Sequence, residues 1–227
     1  MCVYAIRLFM CTDFETNPSR EDINLKMWQS SLMDRFFHSI SEKGKIELSR
    51  HCVAEDYCSE WQGILCQDGR IVKVFYSGVA YGQFALDTLP PTVNYVMIVQ
   101  CAQKYKVETR SLPREAKCVW LHKNHLYGSI NLTTLPSKLI HLGIWENNLS
   151  GAISLVDLPR NLVSLKLYEN KIQQSVVFYS NLPASIDKIE LVKIGRFSEI
   201  GEVRALHPED VVVRKEIFPN FPIIKIH

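Results

Sequence analysis

The chain has 227 residues, 47% of them hydrophobic and 22% charged, the make-up of an ordinary folded domain able to bury a full core. Its 26 Lys and Arg against 24 Asp and Glu leave a formal charge of +2, too balanced to argue for a nucleic-acid partner. No run of 18 apolar residues occurs, so no membrane-spanning helix is expected.

The chain opens on MCVYAIRLFMC, apolar but short and interrupted by Arg7. It lacks a basic leader and a small-residue cleavage site, so a strand-like or disordered lead-in is expected rather than a secretory signal. Residues 20–43 read as an amphipathic helix: Leu25, Trp28, Leu32, Phe36 and Ile40 recur at helical spacing, with Met33 and Phe37 beside them. Pro18 precedes it, Ser19 with Asp22 makes a variant of the capping box, and Gly44 sits where a helix would stop. The polar face is not strongly basic, which favours a lid on the following core over a membrane-surface helix. Next comes CSEWQGILCQDGRIVKV, with Cys58, Trp61, Gly63 and Cys66.

The middle of the chain is periodic. Leu89-Pro90, Leu112-Pro113, Leu135-Pro136 and Leu158-Pro159 stand 23 apart, and Leu182-Pro183 follows at 24. The copy at 135, LPSKLIHLGIWENNLSGAISL, places apolar residues at Leu139, Leu142, Ile144, Leu149, Ile153 and Leu155 with Asn147 between. The copy at 112 repeats this with Ala116, Val119, Leu121, Asn124, Leu126, Ile130 and Leu132, and the copy at 158 with Leu162, Leu165, Leu167, Asn170, Ile172, Val176 and Phe178. Later copies decay: Gln174 replaces the turn glycine of Gly128 and Gly151, and Ile194 stands where Asn is expected. The copy at 89 has Cys101 in place of Asn, and a weak copy starts near Gln67, with Ile71, Val74 and Tyr76 at its strand positions. A fixed period in this range means one supersecondary unit stacked on its neighbours, because one unit cannot bury its own apolar face.

The string L-x-x-L-x-L-x-x-N-x-L-x-G-x-I resembles a leucine-rich repeat, and residues 112–155 match it in two tandem copies. The segment around Cys58, Trp61, Gly63 and Cys66 is similar to the N-terminal cap of plant-type leucine-rich repeat proteins, with one residue more between Cys58 and Trp61 than the tightest form; in that family the two cysteines pair. The resemblance implies an α/β or mainly β leucine-rich repeat solenoid, a curved coil of parallel strands with a helical N-terminal cap. Residues 1–66 are then lead-in, helix and cap, 67–205 about six repeats, and 206–227 a C-terminal cap with a β-rich run at Val211, Val212 and Val213. Asn124, Asn147 and Asn170 would satisfy backbone groups at the bend after each strand.

Stacked strands set outward side chains in columns about 5 Å apart. One column reads Lys73, Tyr95, Cys118, His141, Ser164 and Lys188, the next Phe75, Met97, Trp120, Gly143, Lys166 and Glu190, the third Ser77, Val99, His122, Trp145, Tyr168 and Val192. Aromatic residues crowd the middle, with Gly143 expected to leave a hollow between Trp120 and Lys166. Exposed apolar patches mark interaction sites, and Trp and Tyr dominate interface hot spots. A protein or peptide partner on the concave face is therefore expected to meet Tyr95, Met97, Trp120, His122, His141, Trp145, Lys166 and Tyr168. Packing of these rings on one another is the plainer alternative. Two other roles stay open: a structural subunit of a large assembly, and a receptor-like extracellular module for a peptide or glycan.

Catalysis finds no support. Cys118 and His141 share a column, yet no acidic third group or oxyanion donor accompanies them. Cys118, His122 and His125, with His141 as a fourth, have ligand-like spacing, but the first two lie two pleats apart on one strand, too far for tetrahedral zinc. No metal and no cofactor is expected. Seven cysteines leave one unpaired in any full set of bonds and lean toward a reducing compartment, against the cap motif. The sequons Asn131-Leu-Thr and Asn148-Leu-Ser follow almost automatically from the repeat and decide nothing.

Overall fold

The computed structural model describes residues 20–50, 56–59, 61–193, 195 and 199–227. The lead-in at 1–11, Pro18 and the capping Ser19, Cys2, Cys11 and Cys52, and Ile194 lie outside the described residues. From the N-terminus come α1 (Arg20–Phe36), β1 (Ser39–Ile40) and α2 (Glu42–Leu48), then β2 (Ile64–Gln67), β3 (Arg70–Ser77) and β4 (Gly82–Gln83). The repeats supply β5 (Tyr95–Val99), β6 (Cys118–Trp120), β7 (Tyr127–Gly128), β8 (His141–Gly143), β9 (Asn148–Leu149) and β10 (Leu155–Val156). The coil ends with β11 (Ser164–Lys166), β12 (Gln174–Ser180), β13 (Lys188–Glu190) and β14 (Ile200–Ala205).

Each Leu-Pro pair opens a turn of the coil in the same way. The carbonyls of Pro90, Pro113, Pro136, Pro159 and Pro183 accept the backbone N–H three residues on, at 2.9–3.0 Å. A proline has no N–H to offer a ladder, but its carbonyl can start a bend. The chain then enters a short strand, and these strands form one seven-stranded wall in the order β13-β11-β8-β6-β5-β3-β2. All its pairs are parallel except β2 with β3. A smaller sheet, β10-β12-β14, runs along the flank, and β7 pairs with β9. Inside lie the repeat leucines: Leu139, Leu142, Ile144, Leu149 and Leu155 are fully buried.

Asparagine side chains join successive turns. Asn124 Oδ1 accepts the backbone N–H of Cys101 and Gln103, at 2.9 and 3.1 Å, while its Nδ2 donates to the carbonyls of Ile98 and Leu121. Asn147 does the same with Leu126 N–H and the carbonyls of Leu121 and Ile144, and Asn170 with Leu149 N–H and the carbonyls of Ile144 and Leu167. The residue before each of them has a left-handed backbone: Lys123, Glu146 and Glu169 have φ of 57, 52 and 53°. Such a φ is disfavoured for a side chain larger than glycine's, and the bonds at the bend hold it.

Four expectations are corrected. The helix over 20–43 stops at Phe36, because Ser39–Ile40 turns away to pair antiparallel with β4. Gly44 does not end a helix but lies within α2, where Ser41 caps it; a β-carbon at Gly44 would meet Tyr81 Cβ at 2.4 Å, so the close approach demands glycine. In the copy at 158, Val177 and Tyr179 are buried while Phe178 is 40% exposed. The extra residue of its 24-residue period shifts the strand by one, pairing Leu155 with Tyr179, and a one-residue shift swaps faces. Finally, 206–227 forms no strand: it is built of 3-10 turns at Pro208–Asp210, Lys215–Ile217 and Ile223–Lys225. Val213 is fully exposed, and Ile217, Phe218, Phe221 and Ile226 close the core instead.

At the other end α1 buries Met33 and Phe36, whereas Trp28 is 46% exposed. The buried Gln29 on this helix accepts Ile71 N–H at 2.8 Å and donates to Gly69 O at 2.9 Å, standing in for a strand partner. Cys58 and Cys66 are joined by a disulfide.

Replacing Asn124 by alanine strands several buried backbone groups at one bend, each worth roughly 1–3 kcal/mol when unsatisfied. Asn124→Ala should lower unfolding stability by about 3 kcal/mol, and Lys138→Ala, on an exposed ion pair, by less than about 0.5 kcal/mol. Urea denaturation measures both; equal losses would remove the bend bonds from their place in holding the coil.

Candidate functional site

The wall's columns follow directly from register. Lys73, Tyr95, Cys118, His141, Ser164 and Lys188 are successive partners across six strands, and so are Phe75, Met97, Trp120, Gly143, Lys166 and Glu190. Past the strand ends, His122, Trp145 and Tyr168 stack in a third row. The Trp145 ring lies flat on His122, centroids 3.6 Å apart at 10°, and on Tyr168 at 5.7 Å and 24°. Trp120 meets Trp145 edge-on at 6.0 Å and lies parallel to His141 at 5.9 Å. The eight expected contact residues thus share one wall, each half-buried. Tyr95 and Met97 stand on its N-terminal side, the Tyr95 hydroxyl 3.7 Å from Met97 Sδ.

The hollow expected at Gly143 is filled. A β-carbon there would come within 2.4 Å of both Trp120 Cε3 and Trp145 Cζ3, so the missing side chain makes room for two indoles. Mutual packing and partial exposure therefore coexist: the rings support one another and keep part of their surface open. Lys166 Nζ sits 5.4 Å from the centre of the Trp145 ring and pairs with Glu190 at 3.1 Å. Two exposed apolar residues extend the wall beyond the expected set, Phe75 at 41% and Leu65 at 44%. Leu65 pairs with Lys73 across the β2–β3 hairpin. The Asp68-Gly69 pair was the signal that could have found it, since Asp-Gly between apolar runs marks a two-residue hairpin.

Burial, then Lys123 and Lys166, pushes the imidazole of His122 down to about 4, and its buried Nδ1 has no hydrogen-bond partner among the described residues. His122 therefore works as a neutral aromatic plate. Burial, reinforced by Glu190, Glu146 and Glu169, lifts the Tyr168 hydroxyl to about 12. Burial also raises the Cys118 thiol, with Lys117 and Lys73 pulling the other way. Cys118 and His141 face each other across β6 and β8, but a thiol held protonated is a poor nucleophile. Among the described residues no group of three or more His, Cys, Asp or Glu is placed to hold a metal ion, and no described helix is long and apolar enough to cross a membrane.

The depressed imidazole gives a signed prediction. An unfolded histidine takes its proton near pH 6.5, whereas folded His122 resists until about pH 4. The proton binds the unfolded chain first, so His122's cost to stability is nil above roughly pH 6.5 and grows as pH falls, levelling off below about 4. Urea midpoints of wild type and His122→Gln between pH 7 and 4 should converge as pH drops; an NMR titration placing His122 near 6.5 would refute the burial argument.

No protein-family model matches the chain, and no curated protein matches it. Solved structures do. It is similar to a plant ice-binding protein at 18% identity and a TM-score of 0.58, over 78% of this chain and 56% of that one. It is similar to Pollen Receptor Kinase 3 at 16% identity and a TM-score of 0.55, over 78% of this chain and 92% of that one. A third is the leucine-rich repeat ectodomain of the Arabidopsis receptor kinase HAESA in complex with a peptide hormone, at 18% identity and a TM-score of 0.52, over 81% of this chain and 33% of that one. The chain thus spans about half the length of the ice-binding protein and a third of HAESA's ectodomain. These likenesses and the 23-residue turns agree on the fold: the chain is a leucine-rich repeat solenoid.

Proposed function

We propose that this solenoid is a non-catalytic binding module whose repeats, residues 67–205, grip a protein or peptide segment on the aromatic wall. The observation that carries the proposal is the half-exposed cluster of Trp120, His122, His141, Trp145 and Tyr168 on the open face of a parallel sheet. Rigid aromatic rings give large contact area with little side-chain freedom to lose. Tyr95, Met97 and Lys166 extend the contact toward both ends. The fold supports the reading by likeness, since HAESA's ectodomain was solved with a peptide hormone bound.

A second reading rests on the Cys58–Cys66 disulfide, because such bonds persist in oxidising surroundings. In it the chain is a receptor-like extracellular module for a peptide or glycan. Both cysteines oxidised in protein from its native source, together with an occupied sequon at the exposed Asn131, would favour it; free thiols would count against it.

Trp145→Ala should weaken partner binding by about 2 kcal/mol or more and lower stability by about 1 kcal/mol, since His122 and Tyr168 lose a stacking partner. Phe75→Ser, on an exposed ring, should weaken binding without the stability loss. Affinity purification of wild type and both variants from native lysate, read by mass spectrometry beside thermal melts, makes the comparison. Identical partners on all three would move the interface off this wall.

A further inference from the structure

The cations of the wall are unevenly matched. At its C-terminal end Lys166 and Lys188 share Glu190, at 3.1 and 3.9 Å, and Lys193 pairs with Glu169 at 2.9 Å. Lys73 on β3, toward the wall's N-terminal end, and Lys117 just before the central β6 are exposed, and among the described residues neither has a carboxylate within ion-pair distance. Lys73 Nζ lies 5.8 Å from the centre of the Tyr95 ring. Lys73 stands in the first column with Tyr95 and Cys118, and Lys117 directly precedes Cys118 in the chain, so both lie beside the same stretch of that column. Beside this spot run the exposed Phe75 and Leu65, and then Met97 and Trp120 in register with Phe75.

Resting on the function proposed above, we infer that the partner is a peptide segment carrying an Asp or Glu close to a large apolar side chain. Its carboxylate sits over Cys118 between Lys73 and Lys117, and its apolar side chain lies on Phe75, Met97 and Trp120. The opposite orientation brings the carboxylate to the C-terminal end, where Lys166, Lys188 and Lys193 are already paired with Glu190 and Glu169 and leave it no unmatched cation. The lysines are exposed and add steering and orientation, while the rings supply most of the affinity.

The test uses the full chain, immobilised and panned with a random dodecapeptide phage library. Enriched sequences should place an Asp or Glu within a few residues of an aromatic or long aliphatic residue. A synthetic peptide of that sequence should bind Lys73→Gln/Lys117→Gln about five- to tenfold more weakly, the scale of two exposed charge contacts. Its wild-type affinity should fall as NaCl rises from 50 to 500 mM, and Lys138→Gln should leave it unchanged. Enriched peptides that show no acidic preference, or that bind the double lysine variant as tightly as wild type yet fail on Trp145→Ala, overturn the acidic pairing and leave the wall as the binding face. Peptides indifferent to Trp145→Ala, or no enrichment at all, overturn the binding wall itself.

Discussion

The bend after each strand is the constraint on which the rest depends. There the chain leaves the sheet, and its N–H and C=O groups point into a dry core where no strand can meet them. An unsatisfied buried group costs more than a made bond returns. The asparagine of one turn answers groups of the turn before it, as Asn124 does for Cys101, Gln103 and Ile98. That reach across turns does more than satisfy the bend. It ties residue n to residue n − 23, and so sets the register on which every column of the wall relies.

Where asparagine is missing, other chemistry takes the position. Cys101 occupies it in the copy at 89, and its buried thiol donates to Val99 O at 3.1 Å, the same carbonyl that accepts Gly78 N–H at 3.0 Å. Gln103, also fully buried, accepts Phe84 N–H and donates to the carbonyls of Gly82 and Cys101. Gln174, which replaces the turn glycine, reaches both the N–H and the C=O of Ile153 in the neighbouring turn. The repeats look degenerate by residue identity and remain regular by hydrogen bonding.

This explains what could be read in advance. The leucine period set the solenoid, the strand pairing and the membership of each column, because all three depend on spacing alone. The orientation of the rings could not be read, since it depends on Gly143 letting two indoles lie over it, a fact of three dimensions that a glycine in sequence announces only as space. The break of the first helix was hidden too: Ser39–Ile40 pairs with Gly82–Gln83, more than forty residues away, against a helical periodicity that continues through it. At the C-terminus, Val211–Val213 has the composition of a strand, yet the open edge is met by the end of the chain: Ile226 bridges to Val203, and His227 donates to Val203 O and accepts Ala205 N–H. Local propensity yields there to whichever segment can reach the open edge.

The two ends of the coil therefore differ from its middle in how they meet bare backbone. Gln29 offers its side-chain amide to Gly69 and Ile71 at one end, and His227 offers its main chain to Val203 and Ala205 at the other. Both closures act on the edges and core of the coil, and among the described residues neither covers the face of the wall. A parallel sheet normally has both faces covered; here one face rests on the leucine core and the other ends in half-exposed rings. Their mutual stacking holds those rings in place, which lowers the ordering cost of any contact made there. Among the described residues the wall is rigid, apolar at its centre and left open by both caps, which is what the proposed recognition requires, and the unmatched Lys73 and Lys117 are what would orient it.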